Sequence, residues 1–235
     1  MQYVKIKEAI VEQIDSGMLT PRQKLPSERK LAESFDTTRI TLREALSLLE
    51  AEGQIYREDR RGWFISPAPL VYDPTQTLNF TNMALSQGRV PETQLVSAKS
   101  MLANKQAATL LDLAPFADVY RFDCVRYLDD RPVVFVTNFV RPDIFPKLLS
   151  HDLTQSLTDI YREHYGQVYQ RIRYRVSTTS LLGNMAKALR ATAGSPATLV
   201  ERVNYNQKGE LIDCDLEYWR HDAMCIESVA ELNID

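Results

Sequence analysis

Leu42, Ala45, Leu46 and Leu49 repeat at i, i+3, i+4 and i+7 in a stretch that opens on Thr37-Thr38-Arg39 and stops at Gly53. This spacing places four apolar side chains on one side of a helix and leaves Arg39 and Arg43 one turn apart on the other. Such a stripe has to be buried, so the helix cannot stand alone. Its partners lie close by in the chain. Val4, Ala9, Ile10, Val11 and Ile14 fall near helical spacing, and Gly17 suits the end of that helix. Pro26-Ser27-Glu28-Arg29 opens a second helix, with Ser27 as its cap and Leu31, Ala32 and Phe35 on its apolar side. After Gly53 come two short extended runs, 54–57 and 62–65, joined by a charged turn. Residues 1–66 are therefore expected to form three helices and a hairpin.

Total charge does not reveal a partner. The chain of 235 residues has a formal net charge of −3. Residues 1–66 carry 11 Lys/Arg against 11 Asp/Glu, so a nucleic-acid reading has to rest on where single cations sit. A short helix, a tight break and a second helix with cations and hydroxyls at its start form a helix-turn-helix. The second helix of that motif fits a major groove about 12 Å wide. Arg39 and Arg43 suit a guanine edge or phosphate, and Thr38 and Thr41 suit phosphate oxygens. The turn Arg60-Arg61-Gly62 suits a wing that touches backbone or minor groove, although Glu58 and Asp59 beside it oppose phosphate. Taken alone, the helix could be a surface helix with solvated arginines. The ordered set of helix, helix-turn-helix and wing favours DNA.

The length exceeds one typical domain. Residues 66–76, with Pro67, Pro69 and Pro74, read as an extended linker. The expected division is a winged helix-turn-helix over 1–66, a linker over 67–76 and a second domain over 77–235. Strands are expected at 95–101, 117–128, 132–141, 168–180, 197–206 and 210–219, and helices near 104–112, 153–165 and 183–192. Turn chemistry at 128–131 and 207–210 makes neighbouring strands antiparallel, giving an α+β class. Cys124, Cys214 and Cys225 are too scattered for a ligand set, and the first two read as buried free thiols. His151, His164 and His221 have no metal spacing. No metal or cofactor is expected. The N-terminal MQYVKIKEAIVEQI is amphipathic, unlike a signal peptide, and no apolar run approaches a membrane helix of about 18 residues, so the expected location is the cytoplasm.

The segment LPSERKLAESFDTTRITLREALSLLEAEGQIYREDRRGWFI resembles the winged helix-turn-helix of the GntR-type bacterial repressors. The match covers LPSER, TR-x-T-x-R-x-AL-x-x-LE-x-x-G-x-I and RG-x-F-[IV]. By that resemblance Ser27, Arg29, Thr38, Arg39, Thr41 and Arg43 contact DNA from the helices, and Arg61 and Gly62 from the wing. The stretches QGRVPETQLVSAK, VRYLDDRPVVFVTNFVRPDIFPKL, SLTDIYREHYG and VNYNQKGELIDCDLEYWRHD are similar to the UTRA effector domain of the HutC branch. That fold, like chorismate lyase, is an antiparallel sheet with helices. The resemblance implies a homodimer on a double-stranded palindromic operator, released by a small anionic phosphonate or phosphate effector. It implies an effector set of Thr93, Arg126, Asn138, Ser156, Asp213, Glu217 and Trp219.

Alternation along 118–128 puts Arg126 with Tyr120, Phe122, Cys124 and Leu128 on one mostly apolar face, where a cation needs a partner. An internal carboxylate or a ligand anion would serve. Asn138 reads either as an effector contact or as a hydrogen-bonded core amide, and Ser156 as a helix cap at an anion-friendly helix start. Asp213, Asp215 and Glu217 share one face, as do Arg171, Arg173 and Arg175. Cross-strand pairing on a solvated face accounts for both rows; one of the acids holding a ligand cation is the alternative. Thr137 stands where the family commonly has a glutamate, which implies a ligand unlike amino-sugar phosphates. DRRGWF, YDPTQTLNF and DCDLEYWRHD look most like the PhnR regulators of 2-aminoethylphosphonate use, and that ligand suits an anion grip beside an acidic ammonium partner. A lyase-like enzyme fused to a DNA-binding domain is the competing reading, but no nucleophile–base pair accompanies it.

Overall fold

In the computed structural model, which describes residues 1–76, 78–229 and 231, the stripe that anchors the sequence reading is fully buried. Leu42, Ala45, Leu46 and Leu49 each have 0% exposure on α3 (Arg39–Ala51). They meet Ile6 and Ile10 of α1 (Gln2–Asp15), Leu31 and Ala32 of α2 (Glu28–Ser34), and Ile55, Trp63 and Ile65 of a hairpin. Each buried leucine contributes roughly 1.5–3 kcal/mol, which is why three short helices hold together here. The hairpin pairs β1 (Ile55–Glu58) with β2 (Gly62–Ile65), Ile55 opposite Ile65 and Glu58 opposite Gly62. Residues 22–25 run along β2, with Leu25 N donating to Trp63 O at 2.9 Å and Ile65 N to Gln23 O at 2.9 Å.

The chain divides into two compact units. The first comprises Met1–Tyr72, Leu181–Pro196 and Arg220–Val229; the second holds Asp73–Ser180 and Ala197–Trp219. Two later segments thus return to the unit that contains the winged helix. Part of the expected linker is also structured. β3 (Leu70–Tyr72) pairs in parallel with β10 (Met224–Ile226), with Leu70 and Tyr72 buried and Val71 exposed. At this corner Arg220 Nη1 donates to Leu189 O at 2.7 Å and Nη2 to Arg57 O at 2.9 Å. Its guanidinium lies 5.3 Å from the Tyr56 ring centre. Ser66 Oγ donates to Asp222 Oδ2 at 3.1 Å, and Asp59 N donates to Arg190 O at 2.8 Å. The helix expected over 183–192 is α7 (Gly183–Ala188), which ends before Arg190 turns left-handed at φ 52°.

The second unit is built on a six-stranded sheet. Its strands are β4 (Pro91–Leu102), β5 (Asp118–Leu128), β6 (Arg131–Val140), β7 (Tyr169–Ser180), β8 (Pro196–Asn206) and β9 (Leu211–Arg220), in the order β4-β5-β6-β9-β8-β7. Asp129 and Asp130, at φ 51° and 65°, make the tight β5–β6 turn with a left-handed pair. α5 (Lys105–Leu111) packs Ala107 and Leu111 on Val119, Phe139, Cys214 and Leu216. α6 (Leu157–Tyr165) packs Ile160 and Tyr161 with Phe122, Cys124 and Val140. The expected helix over 153–165 begins only at Leu157, after its cap Ser156. α4 (Phe80–Ser86), absent from the sequence reading, precedes β4. Cys124 and Cys214 are buried free thiols as expected, and burial pushes the Cys124 thiol up to about 11.

Candidate nucleic-acid interface and effector chamber

Both helices of the expected interface open on a side-chain cap. Ser27 Oγ accepts from Lys30 N at 3.3 Å, and Thr38 Oγ1 accepts from Thr41 N at 3.2 Å, with the two threonine hydroxyls 3.0 Å apart. The caps fix the first turns, so the exposed Arg39 is carried on a rigid start. Arg43 Nε donates to Glu28 Oε2 at 2.7 Å, and Trp63 Nε1 donates to Glu28 Oε1 at 3.2 Å. Glu28 therefore ties the start of α2 to α3 and β2. Burial works to raise its carboxyl, but the hydrogen bonds from Arg43 and Trp63 outweigh it and hold the group below its ordinary range. Arg29 is exposed and 3.9 Å from Glu33. Ser27, Arg29, Thr38, Arg39, Thr41 and Arg43 thus occupy the adjoining openings of two helices, while Arg61 and Gly62 sit apart on the hairpin turn.

The wing differs from the expectation in one respect. Glu58, read as an acid facing phosphate, turns inward with 4% exposure and is ion-paired with Arg61. β1 extends through Glu58, and its alternation leaves Arg57 exposed and carries Glu58 to the covered side. Arg61 is held there, its guanidinium 5.7 Å from the Phe64 ring centre. Asp59 lies 3.8 Å from the Arg60 Nε. Gly62, at φ 102°, takes a backbone conformation that side chains rarely adopt.

The expected effector residues converge on one sheet face of the second unit. Register aligns Thr93 with Arg126, Arg126 with Val134 and Val134 with Trp219 across four strands. Val136 aligns with Glu217, Asn138 with Asp215 and Val140 with Asp213. Arg126 Nη1 is 3.4 Å from Glu217 Oε1, and Trp219 Nε1 donates to Glu217 Oε2 at 2.9 Å. Phe80 covers this pair, its ring centre 5.2 Å from the Arg126 guanidinium and 6.2 Å from the Trp219 ring. Asn79, the cap of α4, donates to Ser156 Oγ at 3.1 Å, which places Ser156 beside the same cover. Of the two partners foreseen for Arg126, the internal carboxylate is present. Asn138 is buried, and its Nδ2 is 3.4 Å from Phe122 O.

The acidic row is not on a solvated face. Asp213, Asp215 and Glu217 have 2%, 5% and 1% exposure. β7, with its arginines, is not the neighbour of β9: β8 lies between them. The cross-strand cation is Arg202 of β8, whose Nη1 is 3.4 Å from Asp215 Oδ2 and 3.5 Å from Glu217 Oε1. Tyr161 and Tyr169 hydroxyls donate to Asp213 Oδ2 at 3.1 and 2.8 Å. Asn204 Nδ2 donates to Asp215 Oδ1 at 3.1 Å. Burial pushes the Asp213 carboxyl up to about 6, against the lowering effect of hydrogen bonds from Tyr169, Asn204 and Tyr161 and of the Arg202 charge. Burial also raises Asp215. Phe80, Tyr161, Tyr169, Arg202 and Asn204 complete the chamber and were not anticipated. The alternation of Arg202 and Asn204 in β8 is their one legible signal, since helix cover leaves no sequence period.

Capped tandem helices with a hairpin in one unit, and in the other a sheet face with buried charged groups under helices, are the features of a DNA-binding regulator with a separate effector domain. The family model for bacterial regulatory proteins of the gntR family matches residues 2–65, and that for the UTRA domain matches residues 86–224. The chain belongs to the gntR family, in its HutC branch, and is a ligand-responsive transcriptional regulator with a UTRA domain. It is 30% identical over 219 residues to the uncharacterized HTH-type transcriptional regulator YihL of Escherichia coli (strain K12), covering 93% of each chain. It is 26% identical over 220 residues to the HTH-type transcriptional repressor NagR of Bacillus subtilis (strain 168), covering 94% of this chain and 90% of that one. The crystal structure of PhnF from Mycobacterium smegmatis shares the fold, with a TM-score of 0.68 at 24% identity over 97% of this chain and 100% of that one.

Proposed function

We propose that the protein is a cytoplasmic repressor that binds a palindromic operator as a homodimer and leaves it when a small anionic effector enters the UTRA chamber. Residues 1–66 supply the DNA contacts from Ser27, Arg29, Thr38, Arg39, Thr41 and Arg43, with Arg61 and Gly62 at the wing. Residues 77–235 supply the effector site and the dimer contacts. The observation that carries this reading is Arg126, a guanidinium under Phe80 that lies 3.4 Å from the Glu217 carboxylate. An effector anion can take that carboxylate's place with stronger, bidentate geometry. Thr93, Asn138 and Trp219 share the sheet face of Arg126, and Ser156 accepts from Asn79 beside its Phe80 cover.

A phosphonate bearing an amine, 2-aminoethylphosphonate, suits the chamber's charge. Among the described residues, Asp213, Asp215 and Glu217 face Arg126 and Arg202 with one carboxylate in excess, and Asp213 Oδ1 and Asn204 Oδ1 are buried acceptors that meet no hydrogen-bond donor. An ammonium group supplies both charge and donors. Binding sequences selected from random duplexes should be palindromic, and 2-aminoethylphosphonate should release the wild-type protein in a gel shift. Arg126→Ala should bind the same duplex and fail to be released. Normal release from the Arg126→Ala protein would overturn the chamber assignment, and recovery of asymmetric sites would overturn the dimeric reading.

A further inference from the structure

Ile40 is the second residue of α3 and is 82% exposed. It stands between the exposed Arg39 and the capped Thr41, and it takes no part in the core that holds Leu42, Ala45, Leu46 and Leu49. Arg43, Glu44 and Ser47 on the outward side are polar and exposed. A β-branched apolar side chain here gains nothing for the helix, since it is stiff in the first turn and leaves its hydrocarbon in water. The caps from Thr38 and Ser27 hold this turn in place, so Ile40 is presented in a fixed position.

The first turn of a recognition helix is the part that meets base edges. In the major groove the one apolar feature of any base pair is the thymine C5-methyl group. Arginine and threonine neighbours satisfy phosphates and acceptor edges, but neither explains an isoleucine. We infer that Ile40 is a specificity residue that reads a thymine methyl within each half-site, beside the base or phosphate contacts of Arg39. This rests on DNA binding through α3 and adds to it a preference that the arginines cannot provide.

The test replaces each thymine of the selected duplex, one position at a time, by deoxyuridine, which removes only the methyl group. Binding of the full chain is measured for wild type and for Ile40→Ala. At one thymine per half-site, the wild-type protein should lose roughly fourfold in affinity, the worth of one buried carbon group. Ile40→Ala should bind the unmodified duplex more weakly and be indifferent to deoxyuridine at that position, while Ile40→Val keeps part of the discrimination. Because the side chain is exposed, Ile40→Ala should melt no lower than wild type. The inference falls if no thymine is coupled to residue 40, or if Ile40→Ala binds every duplex as wild type does. In those outcomes Arg39→Ala still weakens binding, so DNA recognition by α3 stands. If Arg39→Ala and Ile40→Ala both bind as wild type, α3 is not the reading element and both assignments fail.

Discussion

Asp213 keeps a carboxyl where water does not reach, and its proton is bound more tightly in the folded chain than in the unfolded one. Its ordinary value of 3.8 rises to about 6 because burial penalises the charged form more than the tyrosine and asparagine hydrogen bonds favour it. The stabilising contribution of this proton is fully present below the unfolded value and is lost as pH rises through about 6. A shift of this size corresponds to something on the order of 3 kcal/mol. Urea denaturation should therefore show the wild type losing stability between about pH 4 and pH 7. Asp213→Asn, which still accepts from Tyr161 and Tyr169, should shrink that loss. An unchanged difference between the two pH values would show that the group does not titrate in this range. The alternation along β5 made the Arg126 face legible from residues alone. The burial of Asp213, Asp215 and Glu217 was not legible, since alternation gives a shared face but not what covers it. Here the cover comes from α4 and α6.

At the scale of elements, α3 was readable because its stripe, break and stop signals agree. The stripe sets the buried face, Thr38 sets the start and Gly53, at φ 72°, follows the end. Its cap has a measurable role. Thr38→Ala should cost about 1 kcal/mol of folding stability, seen in urea denaturation, and should weaken duplex binding because Arg39 loses its fixed turn. Thr38→Ser should restore both. Arg39→Ala, by contrast, should leave stability alone and cost roughly 1–3 kcal/mol of site-specific binding if the arginine reads a base. β3 and β10 were hidden for a different reason. Each has three residues, and their parallel pairing joins distant parts of the chain, so neither a local period nor a turn residue announces it. α4 escaped because seven residues capped by Asn79 give too few turns for a periodic signal.

For the molecule as a whole, the first unit is assembled from three separate segments. Arg220, 4% exposed, joins them by donating to the carbonyls of Leu189 and Arg57 and lies 3.6 Å from Asp222. Removing a buried cation of this kind typically costs about 3–5 kcal/mol. Arg220→Met should destabilise the full chain by that order in urea, whereas Ser66→Ala, which removes one hydrogen bond to Asp222, should cost about 1 kcal/mol. Equal effects from the two variants would mean that Arg220 does not bind the segments together. Among the described residues no helix is long and apolar enough to cross a membrane.

The same three-part build has a consequence for how the chain is made. The core around α3 is complete once residue 65 has left the ribosome, and it can fold at once. β3 follows immediately, but its partner β10 is synthesised only after every strand of the second unit. Until then Leu70 and Tyr72 wait as an unpaired apolar edge, the kind of surface on which nascent chains associate wrongly. A strand made after every strand of the second unit is thus the one that closes the edge of the first.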